Sequence, residues 1–394
     1  MRKIIFVLLL FALIVQNNFI FGLKFIDFGL IFYFLYYLSS NKIIDNDNKL
    51  ILLISFFSII LISLIFSYDS GNIFKSVVFS YKLVFIFLCF ILFSSFVKED
   101  LIFFNKIFIF YLIIMIIYIF IINNNFTLDL LFGIASHQEG FLVFKNGNIG
   151  INSASHLVGY VVAMTSIYFF FSTQNTYLRY SVLLLSIYAT LLTGSRNPIL
   201  IYGLFFVCLF FLQNIKVKLF STLLIVFIFI FNEFSSYNFL QIDIFSSRSF
   251  SILTTKEGIF NDMSFLSRYR KVLVVLNEYN IKISENIMYF FIPITHANSE
   301  IFWADNLLAA LLLVVGPFFT IMFLFYLLLY ILKLKRNKNY SLLIYLLCAL
   351  VGNFITEFIF VSIGALITIG QYLLIKRFLN LNNIEIKVNY KKIS

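Results

Sequence analysis

The chain has 394 residues, of which 62% are hydrophobic and 12% charged. A soluble protein of this length cannot cover that much apolar surface, so the composition excludes a set of soluble domains and predicts one integral membrane domain over 1–394. The net charge of +11 is read as lysine-bearing cytoplasmic loops facing anionic lipid, not as a nucleic-acid surface, so membrane lipids and no nucleic acid are the expected partners.

A membrane span needs about 20 mostly apolar residues. Met1-Arg2-Lys3 followed by Ile4–Val15 resembles the start of a signal peptide, but no small-x-small cleavage site follows, so it is read as an uncleaved first span. About twelve runs qualify in chain order: 4–21, 25–39, 50–67, 76–97, 101–122, 154–172, 178–193, 198–213, 217–234, 303–332, 340–356 and 359–376. The run at 303–332 is long enough to tilt or to start outside the bilayer. Placing both termini in the cytoplasm puts most Lys and Arg there, including Lys216, Lys218, Lys333, Lys335 and Arg336. Two long external loops remain, 123–153 and 235–302. In the second, Leu266, Tyr269, Leu273, Leu276 and Tyr279 recur at helical spacing, which predicts an amphipathic helix of the kind that lies on a membrane surface. Trp303 stands where the next span would enter, as an interfacial anchor does. Cys89, Cys208 and Cys348 all fall within apolar runs and read as buried small residues, not as a disulfide or metal framework.

No Gly-rich phosphate loop, Walker-type lysine or HExxH is present, and His occurs only 3 times, so neither a nucleotide nor a metal site is expected. The external polar set is His137, Glu139, Asn152, His156, Arg196, Arg248, Arg268, Arg270, His296, Glu300, Asp305 and Asn306. Arg196 stands out. It occupies the break Gly194-Ser195-Arg196-Asn197 between two apolar runs, and on this topology it faces outward, against the positive-inside trend. Guanidinium groups suit a diphosphate because their forked donors pair with its oxygens and stay charged. A nearby imidazole or carboxylate can take a proton from a sugar hydroxyl.

Four segments together resemble the superfamily of bacterial O-antigen polymerases and O-antigen ligases, lipid-linked sugar transferases of the GT-C type. Thr193-Gly194-Ser195-Arg196 resembles the Thr-x-Ser-Arg turn between two central spans, and Ser267-Arg268-Tyr269-Arg270 the Ser-Arg segment of the large periplasmic loop. Asn146–Asn152 resembles the Gly-then-Asn stretch before a span. Asp305-Asn306, with Gly316 eleven residues later, resembles the element that ends the large loop. Ligases carry His where this chain has Asp305, and the Gly-rich stretch before that element is replaced by Tyr289–Pro293, so the resemblance leans toward the polymerases.

The resemblance implies an all-α, GT-C-like protein of the bacterial inner membrane with a periplasmic active site and a large, partly helical periplasmic loop. It implies that undecaprenyl-diphosphate-linked repeat units are joined into O-antigen or capsular polysaccharide, without a metal or other cofactor, alongside a chain-length regulator protein. Arg196, Arg268, Arg270, Asn306 and Asn152 would bind substrate, and Asp305 or His296 would orient or deprotonate the attacking hydroxyl. The alternatives are a ligase acting on lipid A-core and a flippase for lipid-linked oligosaccharides. Each residue also has a plainer reading. Arg196 can reach lipid phosphates, Arg268 and Arg270 can lie on a solvated helix face, Asp305 can cap a helix or stabilise its N-terminus, and Asn152 can be a polar span end.

Overall fold

The computed structural model describes residues 18–20, 23–24, 26, 28–30, 32–33, 57, 85–86, 89–94, 96, 98–123, 135–138, 141–144, 155–193, 197–212, 263–291, 294, 306–355 and 362–379. Among these the protein is almost entirely helical. The main elements are α1 (Lys98–Asn123), α2 (Ser155–Ser172), α3 (Thr176–Leu192), α4 (Asn197–Leu212), α5 (Met263–Glu285), a 3-10 turn (Ile287–Phe290), α6 (Leu307–Arg336), α7 (Tyr340–Ile355) and α8 (Ser362–Ala365). A π-turn at Leu366–Gly370 follows α8, and 371–379 continue as helix.

Six of these helices coincide with runs expected to be spans: α1 with 101–122, α2 with 154–172, α3 with 178–193, α4 with 198–213, α6 with 303–332 and α7 with 340–356. The last run, 359–376, falls on α8 and its continuation. By length and composition, Glu99–Phe120 and Val315–Arg336 are apolar enough to cross a membrane, and Leu157–Ser172, Asn197–Leu212 and Tyr340–Phe354 are shorter apolar helices. Two small antiparallel ladders depart from an all-helical chain. β1 (Asn18–Ile20) pairs with β2 (Leu23–Lys24), so the first predicted run gives way to a strand at Asn18. β3 (Ala135–Gln138) pairs with β4 (Phe141–Phe144) inside the first long loop, with His137 opposite Leu142. The expected spans at 50–67 and 217–234, and Trp303, lie outside the described residues, apart from the helical Phe57.

α2 is the central helix. Every residue from Leu157 to Phe170 is buried, and α1, α3, α4, α7 and the π-turn pack around it. A helix apolar on all sides needs this enclosure, or lipid. Polar side chains then join it to each neighbour. Tyr168 donates to Asn105 Oδ1 of α1 (2.7 Å), Ser166 shares a hydrogen bond with Tyr202 of α4 (2.8 Å), and Asn353 Nδ2 of α7 donates to Tyr160 (2.9 Å). Tyr160 also meets Thr368 of the π-turn at 2.5 Å, and Gln371 Nε2 donates to Thr165 (2.9 Å). Tyr345 donates to Gln371 Oε1 (2.9 Å) and to the Ile367 carbonyl (2.8 Å), satisfying a carbonyl in the wider turn. Cys89, Cys208 and Cys348 are buried, as their apolar settings predict.

α6 is not one straight span. Gly316 has φ 85° and ψ 167°, a conformation nearly closed to residues with a Cβ. Pro317 follows and has no N–H, so the Leu313 carbonyl loses its donor four residues on. The Thr320 hydroxyl returns a bond to the Gly316 carbonyl at 2.8 Å. The helix therefore has a short first part, Leu307–Val315, and a membrane-length second part. Its far end closes on Asn337 and Lys338. The N–H of Lys338 reaches Lys335 O and that of Asn339 reaches Leu334 O, the paired bonds of a left-handed helix terminus, here with Lys338 at φ 56°.

Close packing of α7 on α2 and α4 depends on Gly352. A Cβ built there would stand 2.5 Å from Tyr160 Cε2 and 3.0 Å from Ile201 Cδ1, whereas one at Gly203 meets nothing within 4 Å. Gly352→Ala is expected to lower stability by about 1–3 kcal/mol through overpacking. Gly203→Ala should be neutral or gain up to about 1 kcal/mol from helix propensity. Thermal unfolding of the two variants in one detergent checks the contrast, which fails if they shift alike.

Candidate functional site

Asn197 and Asn306 meet at one end of the helical bundle, where α7 finishes. Asn197, the first residue of α4, donates from Nδ2 to the Gly352 carbonyl at 3.3 Å and is buried. Asn306, which precedes α6, donates from Nδ2 to the Phe354 carbonyl at 2.8 Å. These two carbonyls are two residues apart in the last turn of α7, where helical carbonyls lack partners within the helix. Asn197 directly follows Arg196, and Asn306 directly follows Asp305. Two motifs more than a hundred residues apart in sequence thus enter the structure beside the same turn.

Asn306 has a second bond. Its Oδ1 accepts from the Leu308 N–H at 2.8 Å with extended backbone, so it is the N-cap of α6. Both ends of its amide are engaged, one starting α6 and the other tying α6 to α7. On the other side of the break, Thr193 closes α3, with its buried hydroxyl donating to Thr190 O at 2.7 Å.

α5 attaches to the same end through Tyr279, which is only 2% exposed. Its hydroxyl donates to the Leu312 carbonyl at 2.6 Å and accepts from the Ile294 N–H at 2.7 Å. Burial raises its phenol above the ordinary tyrosine range; the bond from Ile294 pulls the other way, and nearby Glu278 adds to the rise. The hydroxyl therefore stays protonated and keeps donating at physiological pH. Around it Val275, Ile294, Leu307 and Ala309–Leu313 form a second apolar cluster. One side chain thus joins three pieces of chain: α5, which carries Arg268 and Arg270 on its backbone, the segment two residues before His296, and the first part of α6.

The face of α5 differs from the sequence expectation. Tyr279 is buried as part of a Val275–Tyr279 face, while Tyr269, Leu273 and Leu276 are exposed. Arg270 is exposed as well. Arg196, Asp305, His296 and Asn152 lie outside the described residues, as does the side chain of Arg268. Reasoning from sequence missed Asn197, Gly352, Asn353 and the joining role of Tyr279. A signal was present for Asn353, a polar side chain within an apolar run, which in a membrane calls for a partner.

Beside this end is an apolar cavity of about 440 Å³. Leu307, Leu311, Val315, Phe319, Phe323 and Leu327 of α6 form one wall, on both sides of the Gly316 break. Leu346, Ala349, Leu350 and Asn353 of α7 face it, and Thr368, Ile369, Tyr372 and Leu373 line it together with Ile86 and Phe90. Of its few polar groups, Asn353 and Thr368 belong to the network that pins α2, and the Tyr372 hydroxyl pairs with that of Tyr330. Among the described residues no group of three His, Cys, Asp or Glu side chains is placed to hold a metal ion. Compared with family models, curated proteins and solved structures, the chain matches none of them.

Tyr279→Phe keeps the buried ring and removes both hydroxyl bonds. Leaving the Ile294 N–H unsatisfied should cost roughly 1–3 kcal/mol locally. Hydrogen exchange should then show α5 and Ile294 losing protection while α2 keeps its own. Unchanged protection of α5 would mean the hydroxyl is not the joint.

Proposed function

We propose that this protein is a polymerase of lipid-linked glycans, extending undecaprenyl-diphosphate-linked repeat units into an O-antigen or capsular polysaccharide. The observation that carries the reading is that Asn197, next after Arg196 in sequence, and Asn306, next after Asp305, both bond carbonyls of the last turn of α7. A transferase of this class needs cationic groups for the departing diphosphate and a base for the incoming hydroxyl in one place. These two motifs supply one of each.

In this reading Arg196 and Arg268 hold the diphosphate and stabilise charge as it leaves, which lets the reaction proceed without a metal. Asp305 or His296 orients or deprotonates the acceptor hydroxyl. Asn152 and Arg270 contribute to substrate binding from the flanks, and Asn306 sets the entry of α6. The cavity along α6 suits the polyprenyl chain of such a donor, because its wall is a continuous apolar stripe beginning next to Asn306. The protein is a twelve-span enzyme of the bacterial inner membrane with both termini cytoplasmic and the site on the periplasmic side, working beside a chain-length regulator.

Deleting the gene and resolving surface lipopolysaccharide on a gel distinguishes the classes. Polymerase loss leaves core carrying a single repeat unit. Ligase loss leaves bare core with polymer still on the lipid carrier, and flippase loss leaves bare core with no periplasmic polymer. At normal expression, Arg196→Ala should reduce long chains roughly 10- to 100-fold, the size of one lost charged hydrogen-bond set, and Arg196→Lys should restore part of them. Full-length chains from Arg196→Ala would falsify the diphosphate role.

A further inference from the structure

α5 has two apolar faces, and the protein covers only one. Val275 and Tyr279 are buried against the first part of α6. Tyr269 is 53% exposed, and Leu273 and Leu276 continue the same stripe at spacings of four and three. The 3-10 turn after α5 extends this exposure with Ile287 and Met288, the latter 52% exposed.

The surroundings of that turn indicate what covers these side chains. Phe290 and Phe291 pack on Phe318, with ring centroids 6.1 and 5.2 Å away. Phe318 lies three residues into the membrane-length helix that starts at Val315. The exposed Ile287 and Met288 are therefore carried at the mouth of that helix, level with its first turn. Charge agrees. The first half of α5 holds Arg268, Arg270 and Lys271 and no acidic residue. A half-helix carrying cations alone suits an anionic neighbour such as a phosphate headgroup.

We propose that α5 and its 3-10 turn are seated in the bilayer interface, with the Tyr269–Leu273–Leu276 stripe and Met288 among lipid chains and the basic half of the helix level with the headgroup phosphates. The helix is thus a shelf held from one side by protein and from the other by lipid. This seat is independent of the transfer chemistry and can be tested without an activity assay.

The native cysteines are buried, so an introduced cysteine on an exposed site takes a spin label selectively. The full chain is placed in nanodiscs of anionic phospholipid as Leu273→Cys, Met288→Cys or Asn339→Cys, the last on the exposed turn after α6. Labels at 273 and 288 should collide several-fold more with dissolved oxygen than with a water-soluble nickel chelate, and the label at 339 should show the reverse. Preferential nickel access at 273 and 288 means that the stripe faces water, and exclusion of both reagents means that it faces protein, including a second copy. Either result overturns the proposal. Should Leu273→Cys fold poorly, Tyr269→Cys carries the same test on the same stripe.

Discussion

The architecture depends on one buried helix that cannot choose its own rotation. α2 is apolar around its whole circumference, so the hydrophobic effect gives no preference among its orientations, and in lipid it gives little drive to associate at all. Hydrogen bonds from Asn105, Tyr202, Asn353, Thr368 and Gln371 remove that freedom. Together they tie α1, α4, α7 and the π-turn with its continuation to fixed positions on α2, and an unsatisfied partner in such a place costs more than in water. With α2 fixed, the approach of α7 follows, because Gly352 lets it lie directly on Tyr160. Fixing α7 in turn fixes where α4 and α6 begin, through Asn197 and Asn306. The candidate site is therefore downstream of packing deep in the bundle.

α5 enters this scheme from outside. It is joined above the α6 break by Tyr279 on Leu312 and below it by the aromatic contact of its turn with Phe318. The first bond is directional and the second is a tolerant ring contact. The helix carrying Arg268 and Arg270 is thus registered against the start of α6 more strictly than against its membrane-length part. A loop helix held this way keeps its place relative to Asn306 even though it belongs to a long connection.

Much of the helical layout was legible, because apolar runs bounded by Asn, Gly and Pro mark where helices stop. α3 begins at an Asn175 cap that accepts from Leu178, the first residue of an expected run, whereas α6 begins at Asn306, inside the run expected from 303. The break in α6 was not read, although Gly316-Pro317 spells it, because the apolar pattern continues through it and a span-length criterion is blind to direction. That Tyr279 leaves the predicted stripe of α5 to face protein was not read, for a related reason. Two stripes offset by a few residues both have helical period, and periodicity cannot tell a stripe covered by protein from one covered by something else. The polar pins were beyond reach, since Tyr160 and Thr368 lie 208 positions apart and Asn353 and Tyr160 lie 193 apart. The convergence of the two motifs on α7 depends on the same kind of long-range pairing.

The Gly316 break also bears on how the protein meets membranes of different thickness. Beyond the break, Pro317–Arg336 has 20 residues, about 30 Å at the helical rise, close to the hydrocarbon depth of an ordinary bilayer. Mismatch is usually relieved by tilt. In an unbroken helix, tilting would swing the α6 N-terminus, and Asn306 with it, away from α7. Here Gly316 absorbs the change of angle, and the Phe318 contact can slide while the Leu312 bond holds. Lipid composition can then vary without altering the spacing between the starts of α4 and α6.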